Sequence, residues 1–85
     1  MELWKLVLDE AAFQAFVSSR APERRKLLSV FESLRADPQR QADYFVQDAT
    51  GRTLNVWANR PFLITYWLDS FVSEIRIVNV QRVRF

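Results

Sequence analysis

The chemistry open to this chain rests on guanidinium and phenol groups. Its 85 residues include no His and no Cys. Imidazole proton shuttles, Ser–His triads, thiolate nucleophiles, disulfides and Cys or His metal sites are therefore excluded. Twelve basic and ten acidic residues leave a net charge of +2, too little to name a partner. The excess lies in the second half. Residues 1–37 hold six bases and six acids, whereas residues 38–85 hold six bases and four acids. All six of those later bases are Arg: Arg40, Arg52, Arg60, Arg76, Arg82 and Arg84. Arg makes planar, bidentate contacts to carboxylate or phosphate, where Lys offers a point charge. The plain alternative is a set of solvated strand residues. Tyr66 adds a phenol, although an unperturbed tyrosine titrates near ~10 and is a poor base at neutral pH. Its plain alternative is a core ring. The acids show no ligand-like clustering, so neither a metal nor an organic cofactor is expected.

These groups need a frame, and the chain is long enough for one domain, residues 1–85. Hydrophobic residues make up 49% of it, ample for one core and too much for a disordered chain. No apolar run reaches the ~18 residues of a membrane span, and the start, MELWKLVLDE, lacks a signal-peptide pattern. Leu3 to Leu8 reads as a short buried strand. Asp9 then makes an N-cap for a first helix, whose stripe is Ala12, Phe13, Phe16 and Val17. Pro22 fits the start of a second helix. Leu27, Val30, Phe31 and Leu34 fall on one side of it, with Leu28 beside them. Pro38 stops this helix at Asp37. A connection of about three residues makes the two helices an antiparallel hairpin.

The remainder reads as strands. Tyr44-Phe45-Val46 is a short β-rich run, and Asp48 to Gly51 is a turn in which Gly51 supplies positive φ. Thr53 to Ala58 alternates, with Leu54 and Val56 on one face and Thr53, Asn55 and Trp57 on the other. Asn59-Arg60-Pro61 turns the chain again. Phe62 to Leu68 reads as a central strand, and Glu74 to Arg84 as a long final one. The order is β-α-α-β-β-β(-β). The expected fold class is α+β: a mostly antiparallel sheet with a two-helix hairpin packed on one face. Twist leaves the other face concave.

With these elements in order, the sequence resembles the RelE/ParE superfamily of bacterial toxins from type II toxin–antitoxin modules. The resemblance spans nearly the whole chain and rests on four segments. They are the first strand LWKLVLDEA, the basic helix PERRKLLSVFESLRADP with its Asp-Pro ending, the strand PFLITYWLD with Tyr66 and Asp69 in register, and the last strand EIRIVNVQRV. The resemblance implies a small cytoplasmic toxin held in check by a cognate antitoxin. RelE-type members cleave mRNA on the ribosome and so inhibit translation; ParE-type members inhibit DNA gyrase without nuclease activity. Fold alone does not choose between them.

RNA cleavage without histidine needs a proton acceptor, a donor for the leaving 5′-oxygen and positive charge on the phosphate. The resemblance implies Arg82, Arg84 and Tyr66 as catalytic groups, with Arg60, Arg76 and Phe85 as RNA contacts. Alternation places Arg76, Arg82 and Arg84 on one strand face. Four departures count against cleavage. The family's strand Arg falls on Leu63, its His-Arg ending falls on Arg82-Val83, its Tyr-bearing C-terminal segment is met only by Arg84-Phe85, and no Lys lies beyond the helices. The alternative is a non-nuclease, protein-binding toxin, of the ParE-like kind or degenerate. Trp57, read as exposed, together with Arg24 and Arg25, would then meet a partner. Whether an edge strand makes the chain a homodimer is left open.

Overall fold

The apolar spacing becomes two helices laid on one side of a five-stranded sheet. The computed structural model describes residues 3–83. It runs β1 (Lys5–Leu8), α1 (Glu10–Val17), α2 (Ala21–Ala36), β2 (Tyr44–Gln47), β3 (Thr53–Asn59), β4 (Phe62–Asp69) and β5 (Glu74–Arg82). The strand order is β1-β5-β4-β3-β2. β1 lies parallel to β5, and the other neighbours are antiparallel. The α+β class, the helical hairpin and the chiefly antiparallel sheet are as expected. Among the described residues, no helix is long and apolar enough to cross a membrane.

The core lies between sheet and helices. Register sets Trp57 of β3 against Ile64 of β4, and Ile64 against Val80 of β5. These pack with Phe62, Tyr66, Ile75 and Ile77, and with Leu27, Val30, Phe31 and Leu34 of α2. The α2 stripe is therefore the expected one, while Leu28 beside it is exposed. In α1 the buried line differs from the expected stripe. Ala12 is fully buried and Ala15 and Phe16 pack against the core, but Phe13 and Val17 remain 49% and 45% exposed. Positions 12, 15 and 16 share one helix face, and its two alanines let the helix backbone approach the sheet closely. Phe16 and Phe31 close the hairpin, with ring centroids 6.3 Å apart.

One irregularity changes which side chains share a face. Thr65 pairs with Asn79, but Tyr66 pairs with Ile77, so Val78 is an extra residue in β5. Such a bulge shifts the alternation by one residue. Ile77 and Val80 consequently both reach the helix-side core. Arg76, opposite Trp67, lies on the open face, whereas Arg82, opposite Phe62, lies on the helix side. The expected common face for Arg76 and Arg82 is thus corrected. Arg84 and Phe85 lie outside the described residues.

The helix ends are held by carboxylates in two ways. Asp9 occupies the N-cap of α1 but makes no side-chain cap bond, because its carboxylate turns to Arg76. At α2, Glu23 in the first turn accepts a hydrogen bond from the Arg20 N–H through Oε1 (3.3 Å), the return half of a capping box. Its Oε2 pairs with Arg82 Nη1. Glu23 therefore joins the start of α2 to the end of β5. At the other end of α2, Arg35 Nε donates to the Trp4 carbonyl at 3.2 Å.

The β2–β3 turn is built on Asp48. Its Oδ1 accepts from Thr50 N (2.9 Å), Thr50 Oγ1 (2.6 Å) and Arg52 N (3.0 Å). Gly51 takes φ +85°, as the turn requires. The Thr50 hydroxyl above all holds the Asp48 carboxyl below its ordinary range; burial opposes it, and the Arg52 and Thr50 backbone donors and the Arg52 charge add to the lowering.

Two outcomes are expected. Glu23→Ala should cost about 1–2 kcal/mol in denaturant unfolding, mostly through the cap, because the Arg82 end of its ion pair is largely exposed. Glu23→Gln, which keeps the acceptor, should cost less than about 1 kcal/mol; equal costs would refute the double role. For Asp48, a lowered native pKa stabilises the fold above the unfolded value and loses that contribution as pH falls through the native one. Melts from pH 5 toward pH 2 should therefore show wild type losing its advantage over Asp48→Ala below about pH 4. A difference that does not change with pH would contradict this.

Candidate functional site

The face away from the helices is the candidate site. Alternation assigns to it Lys5 and Val7 of β1, Glu74, Arg76, Asn79 and Gln81 of β5, and Leu63, Thr65 and Trp67 of β4. β3 adds Leu54, Val56 and Ala58, and β2 adds Tyr44 and Val46. Leu54 and Val56 are buried on this side at 5% and 3% exposure. The open face is therefore partly apolar, with polar groups along β5.

Its arginines already have partners within the chain. The Arg52 guanidinium lies 3.9 Å from the centre of the Trp67 ring, a cation–π contact. Arg76, across the ladder from Trp67, sits 3.8 Å from Asp9 and 3.5 Å from Glu74. Two carboxylates flank this one guanidinium, so its field is offset locally. Around Leu63, the register neighbours are Ala58 and Gln81. Neither can transfer a proton near neutral pH.

The sequence-designated residues separate in space. Tyr66 is fully buried on the helix side, with 0% exposure, and its hydroxyl has no hydrogen-bond partner. Burial is the main cause pushing its phenol above the ordinary range; the Arg40 charge works against that, while Asp37 and Asp43 reinforce it. A phenol so placed cannot reach a substrate on the open face, which corrects its expected catalytic position. Arg82 is paired with Glu23 on the helix side. Arg60 sits exposed at the β3–β4 turn, and Arg76 lies among acids toward the opposite end of β5. The expected cluster is therefore divided.

Trp57 is corrected as well. Its alternation was legible, but the face it occupies is the covered one, and the ring is only 6% exposed. Arg40 closes it over, with its guanidinium 3.8 Å from the ring centre. Trp57 is thus no exposed anchor. Arg24 donates through Nη1 to the Ser19 carbonyl and stays partly buried, while Arg25 is exposed. The residues sequence reasoning missed are Arg40, Arg52 and Trp67. Nothing in local spacing announces either stack, because each joins residues from different segments. Among the described residues, no group of three or more acids could hold a metal ion.

No protein-family model matches the sequence, and no characterised protein matches it. The fold does match a solved structure, that of the archaeal RelE–RelB complex from Pyrococcus horikoshii OT3. The TM-score is 0.72, over 95% of this chain and 96% of that one, at 12% identity. The chain has a RelE-like fold.

The orphan hydroxyl of Tyr66 leads to a clear expectation. Tyr66→Phe removes a desolvated group and no hydrogen bond, so unfolding free energy should stay within about 1 kcal/mol of wild type or rise. Tyr66→Ala should cost about 3–5 kcal/mol. A loss above about 1.5 kcal/mol in Tyr66→Phe would mean that the hydroxyl is bonded.

Proposed function

We propose that the chain is the toxin component of a type II toxin–antitoxin module, acting in the cytoplasm and neutralised by a cognate antitoxin. Its RelE-like fold, matched to a chain of a RelE–RelB complex, supports that reading. We infer further that it acts by binding a protein target, as a ParE-like gyrase inhibitor would, rather than by cutting mRNA. The observation that carries this is the surroundings of Leu63. Ala58 and Gln81 neighbour it on the open face, the phenol of Tyr66 is buried on the other side, and Arg82 pairs with Glu23. Cleavage would need proton transfer and charge stabilisation converging on one phosphate. Arg76, set between Asp9 and Glu74, is poorly placed to attract polyanions. Trp67 with Arg52 offers instead an aromatic and guanidinium surface of the kind that anchors protein interfaces.

Inducible expression in a bacterial host, with and without the neighbouring gene, tests both parts. Growth arrest relieved by the neighbour, with mRNA left intact, is expected. Arg82→Ala and Arg84→Ala should arrest growth as wild type does, whereas Trp67→Ala should raise survival at least tenfold. Cleaved mRNA that depends on Arg82 or Arg84 would establish ribosome-dependent cleavage instead, and no arrest at all would remove the toxin reading.

A further inference from the structure

The outer edge of the sheet at β2 is built to take another strand. All four of its residues are exposed, and three are large and apolar: Tyr44 at 45%, Phe45 at 62% and Val46 at 40%. Asp48 N–H bonds the Arg52 carbonyl at 3.0 Å. An antiparallel ladder alternates, so Val46 also bonds β3; at the start of β2 the Asp43 N–H bonds the Val56 carbonyl at 2.9 Å. The N–H and C=O groups of Phe45 and Gln47 then point outward. Lys and Pro are among the devices that discourage added strands at an edge. β1, at the opposite edge, carries Lys5, whereas Tyr44–Gln47 contains neither residue.

The edge also has a charge signature. Residues 41–51 include two acids, Asp43 and Asp48, and no base. They sit just beyond the two ends of β2. Of the arginines nearest in sequence, Arg40 lies over Trp57 on the helix side, and Arg52 lies over Trp67 on the open face, where its charge also acts on Asp48. A second copy is a poor occupant. Pairing about a twofold axis at Val46 would set Asp48 of each copy opposite Tyr44 of the other and beside the other's Asp43. Like charges so close across strands are unfavourable.

We propose that β2 is a docking edge for an extended segment of a partner protein, apolar at alternate positions and carrying Lys or Arg at both ends. The added strand would bond Phe45 and Gln47 through its backbone. One of its faces would extend the apolar strip formed by Tyr44, Val46, Leu54 and Val56, and the other would cover Phe45. The terminal cations would meet Asp43 and Asp48. This surface rests on edge chemistry and not on the toxin reading, so absence of growth arrest leaves it standing.

The test uses the purified chain and synthetic peptides, followed by amide NMR. One peptide has the alternating core Ile-Thr-Val-Thr between two lysines, and its counterpart has the same core between two glutamates. The lysine-ended peptide should shift the amides of Tyr44 to Gln47 and bind at least tenfold more tightly than the glutamate-ended one. N-methylation of its backbone at the residues facing β2 should cost at least tenfold in affinity. Phe45→Pro should do the same, because that N–H makes no bond to β3. The N-methylated peptide gives the same reading even if the proline variant does not fold. Equal binding of the two peptides, undiminished binding after N-methylation, or shifts confined to other strands would overturn the proposal. So would a β2-mediated dimer of the chain alone in sedimentation equilibrium.

Discussion

The molecule turns on one extra residue in its longest strand. Val78 interrupts the β4–β5 ladder between Thr65 and Tyr66. Below it, Ile75 and Ile77 face the helices; above it, Val80 and Arg82 do so. The bulge lets three aliphatic side chains of β5 join the core and brings the strand's last arginine within reach of α2. It also adds local twist to a strand that must pass beneath α1 and end beside the start of α2. The pairing of Arg82 with Glu23, and of Glu23 with the Arg20 N–H, follows from that placement. The division of the arginines between two faces is thus a consequence of packing apolar residues, and the functional reading inherits it.

The basic residues are used largely inside the chain. Arg40 and Arg52 lie over Trp57 and Trp67. Arg76 lies between Asp9 and Glu74, Arg24 reaches the Ser19 carbonyl, and Arg35 reaches both Glu32 and the Trp4 carbonyl. Each exposed pair contributes little stability alone, on the order of 0–1 kcal/mol. Their collective effect is on location. They hold guanidinium groups against rings, carbonyls and carboxylates, and so leave the open face less cationic than the count of arginines suggests. Uncompensated charge supplies most of the affinity for a phosphate backbone, and the proposed protein target rests on its scarcity on this face.

Much of the architecture was legible because it follows from periodicity. The α2 stripe of Leu27, Val30, Phe31 and Leu34 repeats at helical spacing, Pro38 fixes its end, and Gly51 marks the β2–β3 turn, which takes positive φ. The site was far less legible. Ile77-Val78-Asn79-Val80 reads as a continuous alternation, and nothing in it reveals that one residue is bulged. Trp57 alternates with Leu54 and Val56, but alternation names two faces without saying which one the helices cover. Tyr66 looked like a reactive phenol only while the side of its strand was unknown. In α1, Phe13 and Ala12 compete for the buried face, and hydrophobicity alone favours the larger residue. Close approach of helix and sheet decides for the smaller. The ring stacks were illegible because they join segments through tertiary contact.

The register of β4 against β5 decides most of this account, and cross-strand nuclear Overhauser effects in the purified chain read it directly. Contacts between Thr65 and Asn79 and between Tyr66 and Ile77 are expected, with Val78 matched to no residue on β4. A regular ladder that pairs Tyr66 with Val78 would contradict the bulge, and with it the separation of Arg76 from Arg82.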